Sequence, residues 1–250
     1  MKKNLWNASF ICLIALSFLI SPISSKADFY IKKLRHTDAV TIMGQTQPAK
    51  DDEGGTWLAK DKMREDQGEN QTFIIRFDLN KIYFLDHSKR TYSEMDLPID
   101  LEKILPPEAK QMMQMMQASS KVTDTSETQK IKNWNCKKYL VEISMSMMGM
   151  SMPMKMEMWA TKDIGIDLKI YNKFSEEMLA LNPMTRNFVE EFKKIDGYPV
   201  LTNFSMTMMG AETKYREEVV SVEEKGAPPG IYDLPQGYTK SVYNPFEQRD

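Results

Sequence analysis

From Tyr139 to Met158 the chain changes character at every second residue, and that period excludes a helix there. Tyr139, Val141, Ile143, Met145 and Met147 share one parity, while Lys138, Glu142, Ser144 and Ser146 hold the other. After a turn near Gly149, Met152, Met154, Met156 and Met158 continue the alternation, with Lys155 and Glu157 opposite. Alternate side chains of a strand point to opposite faces, so the segment predicts an antiparallel hairpin with one apolar face. Tyr198, Val200, Phe204, Met206 and Met208 repeat the pattern before a turn at Gly210. The strand expected next, over residues 214–222, carries charge on both faces in its first half.

Upstream, Phe73, Ile75 and Phe77 alternate with Ile74 and Arg76. Turn-rich residues 78–81 and 86–89 lead into strands expected at 82–85 and 91–95, a meander of short antiparallel strands. The first strand is expected to open at Val40-Thr41-Ile42-Met43 and the second to lie at Thr56-Trp57-Leu58-Ala59. Residues 48–55 between them contain Pro48, Gly54 and Gly55 and read as a turn-rich connection.

Helical signals fall in two places. Pro106 and Pro107 suit a first helical turn, and Ala109, Met112, Met113 and Met116 then form one apolar stripe. Residues 119–129, rich in Ser and Thr, read as an edge strand or an exposed loop. Ser175 is the expected N-cap of a second helical stretch, with Glu176 and Glu177 in its first turn. Asn182-Pro183 interrupts that stretch and restarts it, and Phe188, Val189, Phe192 and Ile195 give the new helix an apolar stripe. A turn-rich segment, 227–238, closes the chain. The order predicts an α+β, mostly β protein: one large antiparallel sheet with helices packed on one face.

The N-terminus has the grammar of an export signal. Lys2 and Lys3 precede an apolar run from Phe10 to Ile23, too short for a comfortable membrane span, and Ser25-Lys26-Ala27 offers small residues for cleavage before Asp28. Residues 1–27 are therefore expected to be a signal peptide, 28–240 a single domain and 241–250 a tail, placing the protein in the periplasm. Loss of Lys2, Lys3 and Lys26 with the leader takes the formal net charge from −2 to −5. That acidity argues against nucleic acid as a partner. Only Cys136 follows the leader, so no intramolecular disulfide is expected, and a buried thiol suits it better than a reactive one.

Twenty of the 21 methionines lie beyond residue 27. If the strands holding Met145, Met147, Met152 to Met158, Met206 and Met208 are neighbours, their side chains share a face that Met112 and Met116 could cover. Three readings follow. One is a filled core. Another is a cavity for a lipid-like ligand, lined by Tyr139, Val141, Ile143, Phe204, Phe188 and Phe192 beside the methionines, because an unbranched thioether repacks around differing apolar guests. Or the sulfurs of Met148, Met150 and Met152 bind copper(I), a soft ion that thioethers suit. Catalytic chemistry is hard to assemble. His36 and His87 are the two histidines and stand in unrelated contexts, His87 in a turn where a solvated role is expected. No phosphate-binding glycine loop, HExxH, GxSxG or paired-cysteine spacing occurs. Trp57, Trp134 and Trp159 fall in strands and read as packing. A protein without enzymatic activity or cofactor is expected.

Three stretches resemble a bacterial family of exported proteins known as domain-of-unknown-function family 4412: Ile75-Arg76-Phe77-Asp78 with Lys81-Ile82-Tyr83, Cys136-Lys137-Lys138-Tyr139, and Ala227-Pro228-Pro229-Gly230 through Gly237-Tyr238. The family looks related to the periplasmic lipoprotein carriers LolA and LolB. That resemblance implies a strongly curved, unclosed half-barrel with helices on its concave face, an acyl chain as ligand and envelope lipoproteins as partners. It brings no catalytic residues with it.

Overall fold

A computed structural model describes residues 28–243 except 43, 101, 102, 104–106, 108, 109, 112–115, 148, 149, 182–184, 186, 187 and 209. The chain opens with a strand that the alternation had not marked, β1 (Asp28–Thr37). A small hairpin follows, β2 (Val40–Ile42) and β3 (Gln45–Gln47), and then a meander of β4 (Lys50–Leu58), β5 (Lys62–Gln67), β6 (Gln71–Arg76), β7 (Lys81–Asp86) and β8 (Thr91–Asp96). A second meander uses longer strands: β9 (Met116–Ile131), β10 (Trp134–Met147), β11 (Met150–Thr161), β12 (Tyr198–Met208) and β13 (Ala211–Lys225). Helices α1 (Leu168–Leu181) and α2 (Val189–Phe192) lie between β11 and β12, and the two-residue β14 (Thr239–Lys240) comes last. No helix among the described residues is long and apolar enough to cross a membrane.

The first strand holds the sheet together. The order β14-β8-β7-β6-β5-β4-β1-β13-β12-β11-β10-β9 places β1 between the two meanders, antiparallel to both β4 and β13. Its ends, β14 and β9, do not meet, so the twelve-stranded sheet is unclosed. Every pairing in it is antiparallel except that of β14 with β8. Local chemistry sets the tight connections. Residues 77–80 and 87–90 each close a hairpin with a left-handed last residue, Asn80 and Arg90. Lys132, also at positive φ, turns β9 into β10 through two residues, as a primed hairpin turn requires.

Four expectations are corrected. Residues 50–55 are strand rather than connection, because the two glycines there make room for other strands. A Cβ on Gly54 would collide with the Arg35 guanidinium and sit 2.8 Å from the Asp66 carbonyl oxygen. One on Gly55 would lie 2.6 Å from the Tyr30 ring. Ser175 does not cap a helix but sits inside α1, whose start is capped by Asp167: its Oδ1 accepts from the Lys169 backbone N–H at 2.9 Å. Met116 opens β9 instead of ending a helical stripe, so residues 119–129 are edge strand; Pro107, Lys110 and Gln111 are helical, while Ala109, Met112 and Met113 lie outside the described residues. The Asn182-Pro183 interruption also lies outside them, and the helix expected after it is the single turn α2.

Two apolar clusters fill the sheet's packed face. The larger joins Ile31, Leu58, Met63, Ile75, Ile82 and Val219 to Phe174 of α1, which is fully buried with its ring 4.7 Å from that of Phe77. The smaller gathers Tyr139, Val141, Ile143, Met145 and Met158 beneath Phe188 and Ile195, with Met152, Met154, Met156 and Phe192 packed at its margin.

Candidate functional site

Beneath α1 the packing is incomplete. Tyr171, Ser175 and Met178, spaced to share one helix face, roof a cavity of about 260 Å³ over the middle of the sheet. Its walls include Ile31, Leu58, Met63 and Met158, contributed by four different strands. The floor is polar. Lys33 of β1, Thr56 of β4, Glu65 of β5 and Glu217 of β13 all reach it. The sheet register brings them together: Thr56 is paired with Ile31 on one side and with Glu65 on the other, while Arg35 is opposite Glu217.

Two cations and two carboxylates close a ring at that floor. Lys33 Nζ lies 3.2 Å from Glu65 and 3.4 Å from Glu217; Arg35 lies 3.1 Å from Glu65 and 2.7 Å from Glu217. Arg35 Nη1 also donates to the Asp66 carbonyl at 2.9 Å, in the space that Gly54 leaves open. Burial would lower the Lys33 ammonium, yet Glu65, Tyr198 and Glu217 outweigh it and hold its pKa well above the ordinary lysine value. Burial would raise the Glu217 carboxyl, but Lys33 and Arg35 bring it below the usual glutamate value. Burial lifts the phenols of Tyr171 and Tyr198 above their ordinary value, so both stay protonated. Thr56 Oγ1 is the exception in this satisfied setting: among the described residues it is the buried side-chain polar atom with no hydrogen-bond partner. Alternation could not single out these residues, since Lys33 and Arg35 put charge on the inward parity of β1.

A second polar network lies on Arg64, Asp66 and Thr72, and it fastens the closing segment. Thr72 Oγ1 donates to Asp66 at 2.6 Å, so its lone pair accepts from His87 Nε2, 2.8 Å away. His87 Nδ1 is then the acceptor for the Tyr238 hydroxyl at 2.6 Å. Far from being a solvated turn residue, His87 is half-buried, and burial followed by Arg64 lowers its pKa below 6.5. Arg64 donates to the Ile231 carbonyl, and Arg76 to Tyr232 and Asp233 of the same segment.

The residues expected to line an apolar cavity are brought together, though in two settings. Cross-strand pairs Tyr139–Met158, Val141–Met156, Ile143–Met154 and Met145–Met152 put both strands' apolar residues on a common face. Phe204 and Met206 join it opposite Met156 and Met154. Met158 lines the cavity under α1, whereas Tyr139, Val141, Ile143 and Met145 are buried in the smaller cluster with Phe188. Met147 and Met208 end β10 and β12, and Met150 begins β11. Met148 and Met112 lie outside the described residues. Cys136 is buried and free, and burial raises its thiol above the ordinary value.

Fold and cavity together define a class: a mostly β protein with a large unclosed antiparallel sheet and a part-polar cavity under a crossing helix. Within that class the chain belongs to the family named for its domain of unknown function (DUF4412), whose profile matches residues 40–238. That match takes in both meanders and the closing segment and begins just after β1. No curated protein matches the chain.

Proposed function

We propose that this protein is a non-enzymatic periplasmic carrier that holds the acyl chain of a lipid or lipoprotein in the cavity beneath α1, the role that kinship with the LolA and LolB carriers would give it. The observation that carries this reading is the cavity itself: apolar walls from four strands, a helix as roof, and a polar floor. Ligand sites combine apolar walls with placed polar groups, and here the polar share is large, Gln67, Ser175 and Thr202 adding to the floor residues. Its volume of about 260 Å³ suits one acyl chain segment rather than a whole phospholipid. On this reading the sheet is a curved half-barrel with α1 on its concave side, and the methionine face is adaptable packing next to the cavity. Export fits too: cleavage before Asp28 leaves β1, the strand that joins the meanders, intact.

Native mass spectrometry of the full-length gene product, released by osmotic shock without detergent, tests the reading. The expected species has the mass of residues 28–250 plus one lipid. A species with no adduct that also binds no fluorescent acyl ester would leave a filled structural protein, and one carrying copper instead would favour the methionine thioethers as the site.

A further inference from the structure

The floor of the cavity restricts what the polar end of a ligand can be. Lys33, Arg35, Glu65 and Glu217 bond one another in a closed ring of two cations and two carboxylates. Lys33 and Arg35 are both over nine-tenths buried. A carboxylate or phosphate head would meet Glu65 and Glu217, which face the cavity, and an ammonium head would meet Lys33. Either would add an unmatched charge to a buried ring that is already balanced. Thr56 stands apart from the ring. Its side chain faces the cavity, the residue is 4 % exposed, and its hydroxyl has no partner in the protein. A buried hydroxyl without a partner is costly, and an uncharged carbonyl oxygen would satisfy it without disturbing the ring.

Resting on the carrier reading, we infer that the cavity selects uncharged acyl esters or amides, the Thr56 hydroxyl donating to the acyl carbonyl. Such a group is found in glycerolipids and in the acylated N-terminus of a lipoprotein.

Calorimetric titration of the mature protein at neutral pH compares four probes of one chain length: a monoacylglycerol, an N-acylated lipopeptide, the free fatty acid and the alkylamine. The ester or the lipopeptide should bind at least about tenfold more tightly than the fatty acid and the amine, and the tighter of the first two identifies the source. Thr56→Val should weaken that binding about tenfold, while Thr56→Ser, which keeps the hydroxyl, should stay near the parent. Unfolding of the ligand-free Thr56→Val protein should show no loss of stability, since no protein partner is lost. Equal affinity for charged and uncharged probes, or unchanged affinity in Thr56→Val, overturns the inference and leaves the carrier reading standing. Binding of none of the four ends both.

Discussion

At the scale of single residues, the sheet depends on what glycine leaves out. Gly54 and Gly55 look like turn signals, yet each clears space on one side of β4, for the Arg35 guanidinium and for the Tyr30 ring. Arg35 cannot easily retreat, because Glu65, Glu217 and the Asp66 carbonyl all hold it. Gly54→Ala should therefore destabilise the protein by about 1–3 kcal/mol, the usual result of overpacking. Gly226→Ala is the control: nothing lies within 4 Å of its added Cβ, and a change of no more than about 0.5 kcal/mol is expected. Urea unfolding of the two variants checks the difference. A Gly54→Ala protein as stable as the control would mean that the Arg35 ring rearranges freely.

At the scale of elements, α1 and α2 do different work. α1 places Phe174 in the larger cluster with no exposed surface, packed against Phe77. α2 is a single turn whose Phe192 is half-buried at the margin of the smaller cluster. Phe174 has no exposed surface and does not line the cavity, so Phe174→Ala leaves a void in packed core and should cost about 3–5 kcal/mol. Phe192→Ala should cost clearly less, because part of that ring already meets water. Denaturant unfolding ranks them, and the reverse order would mean that α2, not α1, anchors the crossing. α2 contributes otherwise: Glu191 Oε2 accepts from the Val122 backbone N–H at 2.8 Å. That bond occupies one group on the outer edge of β9, a position where an exposed edge invites association.

At the scale of the whole molecule, the closing segment is strapped to the first meander through His87. The family resemblance rests partly on Arg76, Asp78 and residues 227–238, and the hydrogen bonds of Arg76 to Tyr232 and Asp233 show why these distant stretches go together. His87 is held neutral, with Arg64, Asp66 and Asp86 as the charged groups around it. A histidine whose folded pKa is depressed contributes stability in full above its unfolded value of about 6.5. That contribution falls as pH drops from there toward the lowered folded value, because the unfolded chain takes up the proton first. Proton NMR should place the His87 titration below 6.5, and the stability advantage of the parent over His87→Gln in urea unfolding should shrink from pH 7 to pH 5. Tyr238→Phe leaves Nδ1 without its donor and should cost about 1 kcal/mol at pH 7. A His87 that titrates at or above 6.5 would remove the basis for this strap.

Alternation by itself determined that the Met-rich stretches are paired antiparallel strands sharing one apolar face, because a period of two has no other backbone solution. The pairing of Tyr139 with Met158 through Met145 with Met152 follows that pattern residue by residue. The short meander of β6, β7 and β8 was legible for the same reason. What alternation could not show was β1, whose inward residues Lys33 and Arg35 are charged, nor the cavity, whose floor joins Arg35 to Glu65, 30 residues on, and to Glu217, 182 residues on. Only the tertiary structure decides these, since a buried charge is tolerable once its counter-charges arrive from other strands. Neither Glu65 nor Glu217 is near Lys33 until the sheet has formed.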